Sequence, residues 1–197
     1  MSTTRDDADG GSAENRCSAA RQLVTPEQFA GIYRDWCGEI RDAIEPLSQW
    51  AVVGVKRRGA MLARRLCRDL DPDGSRLRHG EVDISLYRDD YHLQSVSPRV
   101  LGTEIGFSVE DLSILLVDDV LYTGRTVRAA LNVLLDFGRP QRIWLAVFVD
   151  RGHRELPIAP NFTGVHERTL ASDRVKVRLV EMGDPADSVD IEAGGPT

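Results

Sequence analysis

The stretch Ile114-Leu115-Leu116-Val117-Asp118-Asp119-Val120-Leu121-Tyr122-Thr123-Gly124-Arg125-Thr126 decides the fold. Four consecutive apolar residues, Ile114 to Val117, read as a strand buried on both faces. Asp118 and Asp119 stand where that strand should end. Thr123-Gly124 then opens a helix, because Val127, Ala130, Leu131, Leu134 and Leu135 recur at helical spacing. A strand that ends in carboxylates and turns into a helix N-terminus makes an anion site. The unpaired N–H groups of Thr123 to Thr126 suit a phosphate, and the helix dipole favours its charge. Gly124 lets the backbone approach closely, and Thr123 and Thr126 add hydroxyl donors. The two carboxylates suit sugar hydroxyls or a hydrated magnesium ion. Adjacent residues on a strand point to opposite faces, so they share a ligand only where the strand has begun to turn.

Working outward, the helix after this motif should stop at Gly138, with Pro140 just beyond. Ile143 to Val149 is another continuous apolar strand, followed by Asp150-Arg151-Gly152-His153-Arg154-Glu155-Leu156-Pro157-Ile158. Arg151 therefore stands at the carboxyl end of a strand, beside the motif, or pairs with Asp150 or Glu155 on the surface. Val175, Val177 and Leu179 alternate with Lys176 and Arg178, which gives a last strand with Val175 in the core. From Asp184 onward the chain is acidic and reads as a loosely attached end.

Upstream, Thr25-Pro26-Glu27-Gln28 is a helix start, with Thr25 as N-cap, Pro26 first in the helix and Gln28 closing a capping box. Phe29, Ile32, Tyr33, Trp36 and Ile40 mark its buried face. Ala51 to Val55 is a short apolar strand, Lys56-Arg57-Arg58-Gly59 a loop, and Ala63, Leu66, Cys67 and Leu70 the inner face of a helix. Strand, basic loop, helix is the first half of a parallel α/β unit. A cationic loop at the carboxyl end of a strand suits a pyrophosphate; a solvated basic turn is the plain alternative. Val82, Ile84 and Leu86 alternate with polar neighbours and predict a strand over 81–87. Arg88 to Glu110 has no strong periodicity and reads as a lid. Arg88 and Arg99 either close onto the site or are solvated surface charges.

Composition narrows the class. A chain of 197 residues is one domain by default, and 42% hydrophobic with 28% charged residues fits a soluble globular protein. A net charge of −6 leaves any RNA contact to a local basic patch. Cys17, Cys37 and Cys67 form no pair and no metal spacing with His79, His92, His153 or His166, which suits a reducing cytosol. No apolar run is long enough to cross a membrane, and the N-terminus lacks a signal-peptide core. Residues 1–20 read as a disordered tail, 21–192 as the folded domain and 193–197 as a C-terminal tail.

The motif resembles the PRPP-binding loop of type I phosphoribosyltransferases. Its tail, Asp118 to Thr126, is similar to that of the PyrR family, bifunctional pyrimidine-operon attenuation regulators and uracil phosphoribosyltransferases. Ser85-Leu86-Tyr87-Arg88-Asp89-Asp90 and Asp150 to Ile158 match the same family, and the similarity runs from about Thr25 to about Ile191. It implies an α/β type I phosphoribosyltransferase fold, a central and mainly parallel sheet flanked by helices, with a flexible lid. The implied reaction is uracil plus PRPP giving UMP and diphosphate, with Mg2+ bound mainly through PRPP. Asp118 and Asp119 are the implied catalytic residues. Arg57, Arg58, Arg99, Val120, Leu121, Tyr122, Thr123, Gly124, Arg125, Thr126, Arg151 and Val175 join them in binding PRPP or UMP. Arg57 stands where the family has Thr in Lys-Thr-Arg-Gly, so a charge is kept and a hydroxyl lost.

The resemblance also implies a cytoplasmic homodimer or higher oligomer and raises leader mRNA as a partner, with His153 and Arg154 as candidates for RNA contact. Here Ala159 replaces an Arg of the attenuating members, and Gly164 to Thr169 replaces Gly-Lys-Asn-Ile-Pro-Thr. The first helix carries Glu27, Asp35, Glu39 and Asp42 beside Arg34 and Arg41. Each lost cation removes a phosphate contact, so weak or absent RNA binding is expected. The alternative is a UMP-sensing RNA-binding regulator with weak or no catalysis.

Overall fold

The computed structural model describes residues 21–85 and 102–194. The chain runs β1 (Arg21–Val24), α1 (Pro26–Ala43), β2 (Trp50–Val55), α2 (Arg58–Leu70), β3 (Arg78–Val82), β4 (Ser113–Leu121), α3 (Arg125–Asp136), β5 (Arg142–Asp150), β6 (Phe162–His166), β7 (Arg174–Arg178) and β8 (Ser188–Glu192). Five strands form one sheet in the order β3-β2-β4-β5-β6, and every neighbouring pair is parallel. A second sheet of three antiparallel strands, β1-β8-β7, stands apart from it.

The apolar run of β4 follows from its position at the centre of the large sheet. Leu115 and Val117 face the side covered by α1 and α2, among Phe29, Trp36, Ile40, Leu62 and Leu66. Ile114 and Leu116 face α3, with Val127, Ala130, Val133 and Leu134. Both faces are dry, so neither can be polar. The rings of Phe29 and Phe148 sit 4.3 Å apart and tie α1 to β5. The capping box of α1 is complete: Gln28 Oε1 accepts from the Thr25 amide at 2.9 Å, and Thr25 Oγ1 accepts from the Gln28 amide.

Several expectations are corrected. The strand expected over 81–87 is Arg78–Val82. Its register with β2, from Ala51↔Arg78 to Val55↔Val82, ends where β2 ends. It is the edge strand, so its first half is polar and the alternation misled. On α3, Leu135 is 55% exposed, and Val133 takes its expected place in the core. The acidic end is not loose. Ser188–Glu192 is the central strand of the small sheet, with Val189 and Ile191 buried. Its acids have partners: Asp190 binds Arg178, and Asp187 binds Arg65 of α2 at 2.6 Å. Strands β1 and β6 were not expected at all. Residues 88–101 of the expected lid, with Arg88 and Arg99, lie outside the described residues, as do 86–87 of the expected strand, 1–20 and 195–197. The end that follows is packed: Thr103 and Val109 are buried, and Glu104 exchanges both backbone hydrogen bonds with Glu81.

Candidate active site

The carboxyl ends of β2, β3, β4 and β5 open onto one cavity of about 860 Å³. Parallel α/β sheets bind ligands at this edge, because each strand there hands over to a helix N-terminus. Two helices do so here. α2 begins at Arg58, so the expected four-residue basic loop is only Lys56 and Arg57. A Cβ on Gly59 would lie 2.7 Å from the Val117 carbonyl oxygen, and one on Gly54 2.4 Å from Ala60 Cα. The absence of side chains at both places lets the first turn of α2 sit directly on β2 and β4. α3 begins at Arg125 after Gly124, whose φ of 91° is a left-handed conformation that glycine adopts without strain.

Asp118 and Asp119 belong to β4, which continues to Leu121. They share the cavity although they are adjacent on a strand. The reason is that β2 leaves β4 at the pair Gly54↔Val117, while β5 stays with it to Leu121↔Asp150. Past Val117 one flank of β4 is open. Asp118 is buried and its Oδ1 accepts from the Asp119 amide at 2.9 Å. Burial pushes the Asp119 carboxyl up from the ordinary carboxylate range. A hydrogen bond with Asp118 and the nearby Arg58 charge oppose that rise. Arg58 Nε is itself buried with no partner among the described residues. Lys56 reaches back to Glu104 at 3.0 Å and to Glu81 at 3.8 Å.

The expected residues divide. Arg57, Arg58, Asp118, Asp119, Val120, Tyr122, Thr126, Arg151 and Val175 line the cavity. Leu121 is core, and Arg125 turns outward to Glu155, its Nε donating at 2.7 Å. Thr123 supports the turn: its carbonyl accepts from the Glu155 and Leu156 amides, and its Oγ1 from the Arg125 amide. Arg151 pairs with neither Asp150 nor Glu155. It is 4% exposed, its Nη atoms donate to the carbonyls of Asp173 and Leu170 at 2.6 Å each, and its guanidinium lies 4.1 Å over the Tyr122 ring. His153 and Arg154 are also engaged. His153 Nε2 meets the Thr169 carbonyl at 2.6 Å; Arg154 binds Asp150, also at 2.6 Å, and donates to the carbonyls of Tyr122, Gly152 and Ile158. Lys56, part of the expected cationic loop, also lines the cavity; Asp83, Ser85 and Ala171 to Arg174 line it too and were missed. Asp83 was findable, since it follows directly on an apolar strand end. The 171–174 turn has no periodicity and gave no signal.

Comparison with known proteins shows the family and the fold. The phosphoribosyl transferase domain family matches residues 20–183. A bifunctional protein PyrR of Chloroflexus aurantiacus is 47% identical over 175 residues, covering 88% of this chain and 96% of that one. The chain belongs to the PyrR family. Another member, from Clostridioides difficile, is 44% identical over 172 residues, covering 87% of this chain and 97% of that protein. A hypoxanthine phosphoribosyltransferase of Staphylococcus aureus superposes with a TM-score of 0.63 at 18% identity, covering 89% of this chain and 93% of that one. That likeness concerns the fold alone. With the family match, the five-stranded parallel sheet and its flanking helices are the type I phosphoribosyltransferase fold.

Proposed function

We propose that this protein transfers the phosphoribosyl group of PRPP to uracil, forming UMP and diphosphate. One observation carries the reading. Two helix N-termini, a cationic pair and a carboxylate pair converge on one cavity large enough for a nucleotide and diphosphate together. Arg57, Arg58 and the first turn of α2 hold the diphosphate. Thr123 to Thr126 hold the 5′-phosphate. Asp118 and Asp119 hold the ribose hydroxyls between them, and the 171–175 segment receives the base. Departure of diphosphate runs ahead of bond formation to the base, so positive charge develops on the ribose. The carboxylates favour that charge and the arginines favour the leaving group; no covalent nucleophile is needed. Two carboxylates also suit a magnesium ion held mainly by substrate phosphates, which when bound neutralises the diphosphate.

The test is a radiolabelled-uracil assay with PRPP and magnesium, with Asp119→Asn as control. Labelled UMP that the substitution reduces by roughly 100-fold or more supports the reading. No UMP from the wild-type protein, or turnover by the variant within a few-fold of wild type, overturns it. The relatives are named bifunctional, so a second activity is the alternative: a UMP-sensing regulator that binds leader mRNA. His153 and Arg154 already spend donors inside the fold, which adds to the missing cations and supports weak or absent binding. Tight, UMP-enhanced, salt-sensitive retardation of a pyrimidine leader RNA in a gel would refute this.

A further inference from the structure

The wall that the proposed function gives to the base is Ala171 to Val175, most of it the short turn Leu170 to Asp173 between β6 and β7. The turn closes on itself: the Asp173 amide donates to the Leu170 carbonyl at 3.1 Å, and the Leu170 amide to Asp173 Oδ2 at 2.9 Å. Three of its carbonyls are also bound from the large sheet. Arg151 takes Leu170, Asp173 and, at 3.5 Å, Ala171. The Tyr122 hydroxyl donates to the Ala171 carbonyl at 3.2 Å. His153 takes the carbonyl of Thr169. A carbonyl only accepts, so His153 Nε2 carries the proton. These three side chains also hold one another: Tyr122 stacks under Arg151 at 4.1 Å and meets the His153 ring edge-on at 5.8 Å.

We propose that Tyr122, Arg151 and His153 form a clamp that sets the position of the base-side wall and couples it to the phosphate loop. Tyr122 is the first residue after β4, so its backbone belongs to the phosphate loop while its side chain belongs to the wall. The clamp residues are positioning residues: their donors are directed at the wall's own backbone. The turn runs from β6 of the large sheet to β7 of the small one, and the clamp ties it back to the strand ends that carry Asp118 and Asp119. Removing a clamp bond lets the base sit at a wider range of distances from the ribose. The effect therefore falls on the KM for the base.

This inference rests on the uracil reading for its kinetic arm but not for its structural arm. The experiment compares wild type, Tyr122→Phe, which keeps the ring and loses one hydrogen bond, and Tyr122→Leu, which also loses the stack. Hydrogen exchange of the Leu170 and Asp173 amides is measured without ligand. It should rise about 3- to 10-fold in the Phe variant, the worth of one hydrogen bond, and further in the Leu variant, while amides in β4 and β5 hold their rates. In the assay the KM for uracil should rise by a similar factor, several times more than kcat falls. Unchanged exchange at Leu170 and Asp173 overturns the clamp whatever the enzyme does. Faster exchange with kcat falling as much as KM rises overturns the base-positioning role. If wild type makes no UMP, the uracil reading fails, and the exchange arm alone decides whether the clamp exists.

Discussion

Asp119 combines a half-buried, unfavourable charge with a proposed role that needs that charge. Its carboxyl is pushed up by burial in the free protein, so the folded state holds the proton more tightly than the unfolded chain does. Such a group penalises folding above its folded-state pKa, and the penalty vanishes as pH falls below the unfolded value of about 4. Asp119→Asn is therefore expected to raise Tm near pH 7.5, by about 2–4 °C for each kcal/mol relieved. The gain should shrink toward zero in melts repeated near pH 4, while turnover is lost at every pH. The placement of the Asp pair and of Gly124 was legible in the sequence because each follows from a local pattern: a strand end, a turn, a helix start. What Arg151 touches was not legible. Its partners are backbone carbonyls about 20 residues away, and a carbonyl carries no residue identity.

The two sheets are joined by side chains as well as by the chain. Arg65 of α2 is 10% exposed and binds Glu181 and Asp187, which flank the turn before β8. Arg65→Ala should cost about 1–3 kcal/mol in urea unfolding, since it strands two partly buried carboxylates. Arg65 holds the Glu181 carboxyl below its ordinary range. A lowered acid stabilises the fold above its unfolded pKa and loses that contribution as pH falls through the folded value. The gap between variant and wild type should therefore narrow below about pH 4. The first helix offers a simpler check: Thr25→Ala removes the cap oxygen and should cost about 1 kcal/mol in the same measurement. That cap was readable because Thr, Pro and Gln fall within four residues. Strand β8 was misread because Asp190 in it and Asp187 just before it are neutralised by Arg178 and Arg65, which the sequence does not show to be neighbours.

At the scale of the molecule, the site spans the large sheet and the turn leading into the small one, so a ligand touching both should stabilise them together. UMP at a hundred times its Kd should add about 2.7 kcal/mol to the unfolding free energy, and uridine at the same concentration much less, because it leaves the α3 N-terminus unfilled. A thermal-shift series checks both. The parallel architecture was legible in alternating apolar strands and helices; the second sheet was not, because its strands come from both ends of the chain. Gly54 and Gly59 have a last consequence. Neither presents a side chain to any ligand, yet a methyl group at either would meet backbone at under 3 Å. In a saturation-mutagenesis map of this protein both positions should reject every substitution as strictly as Asp119 does. Read without coordinates, such a map would assign them to the chemistry, when what they protect is the contact of one helix with two strands.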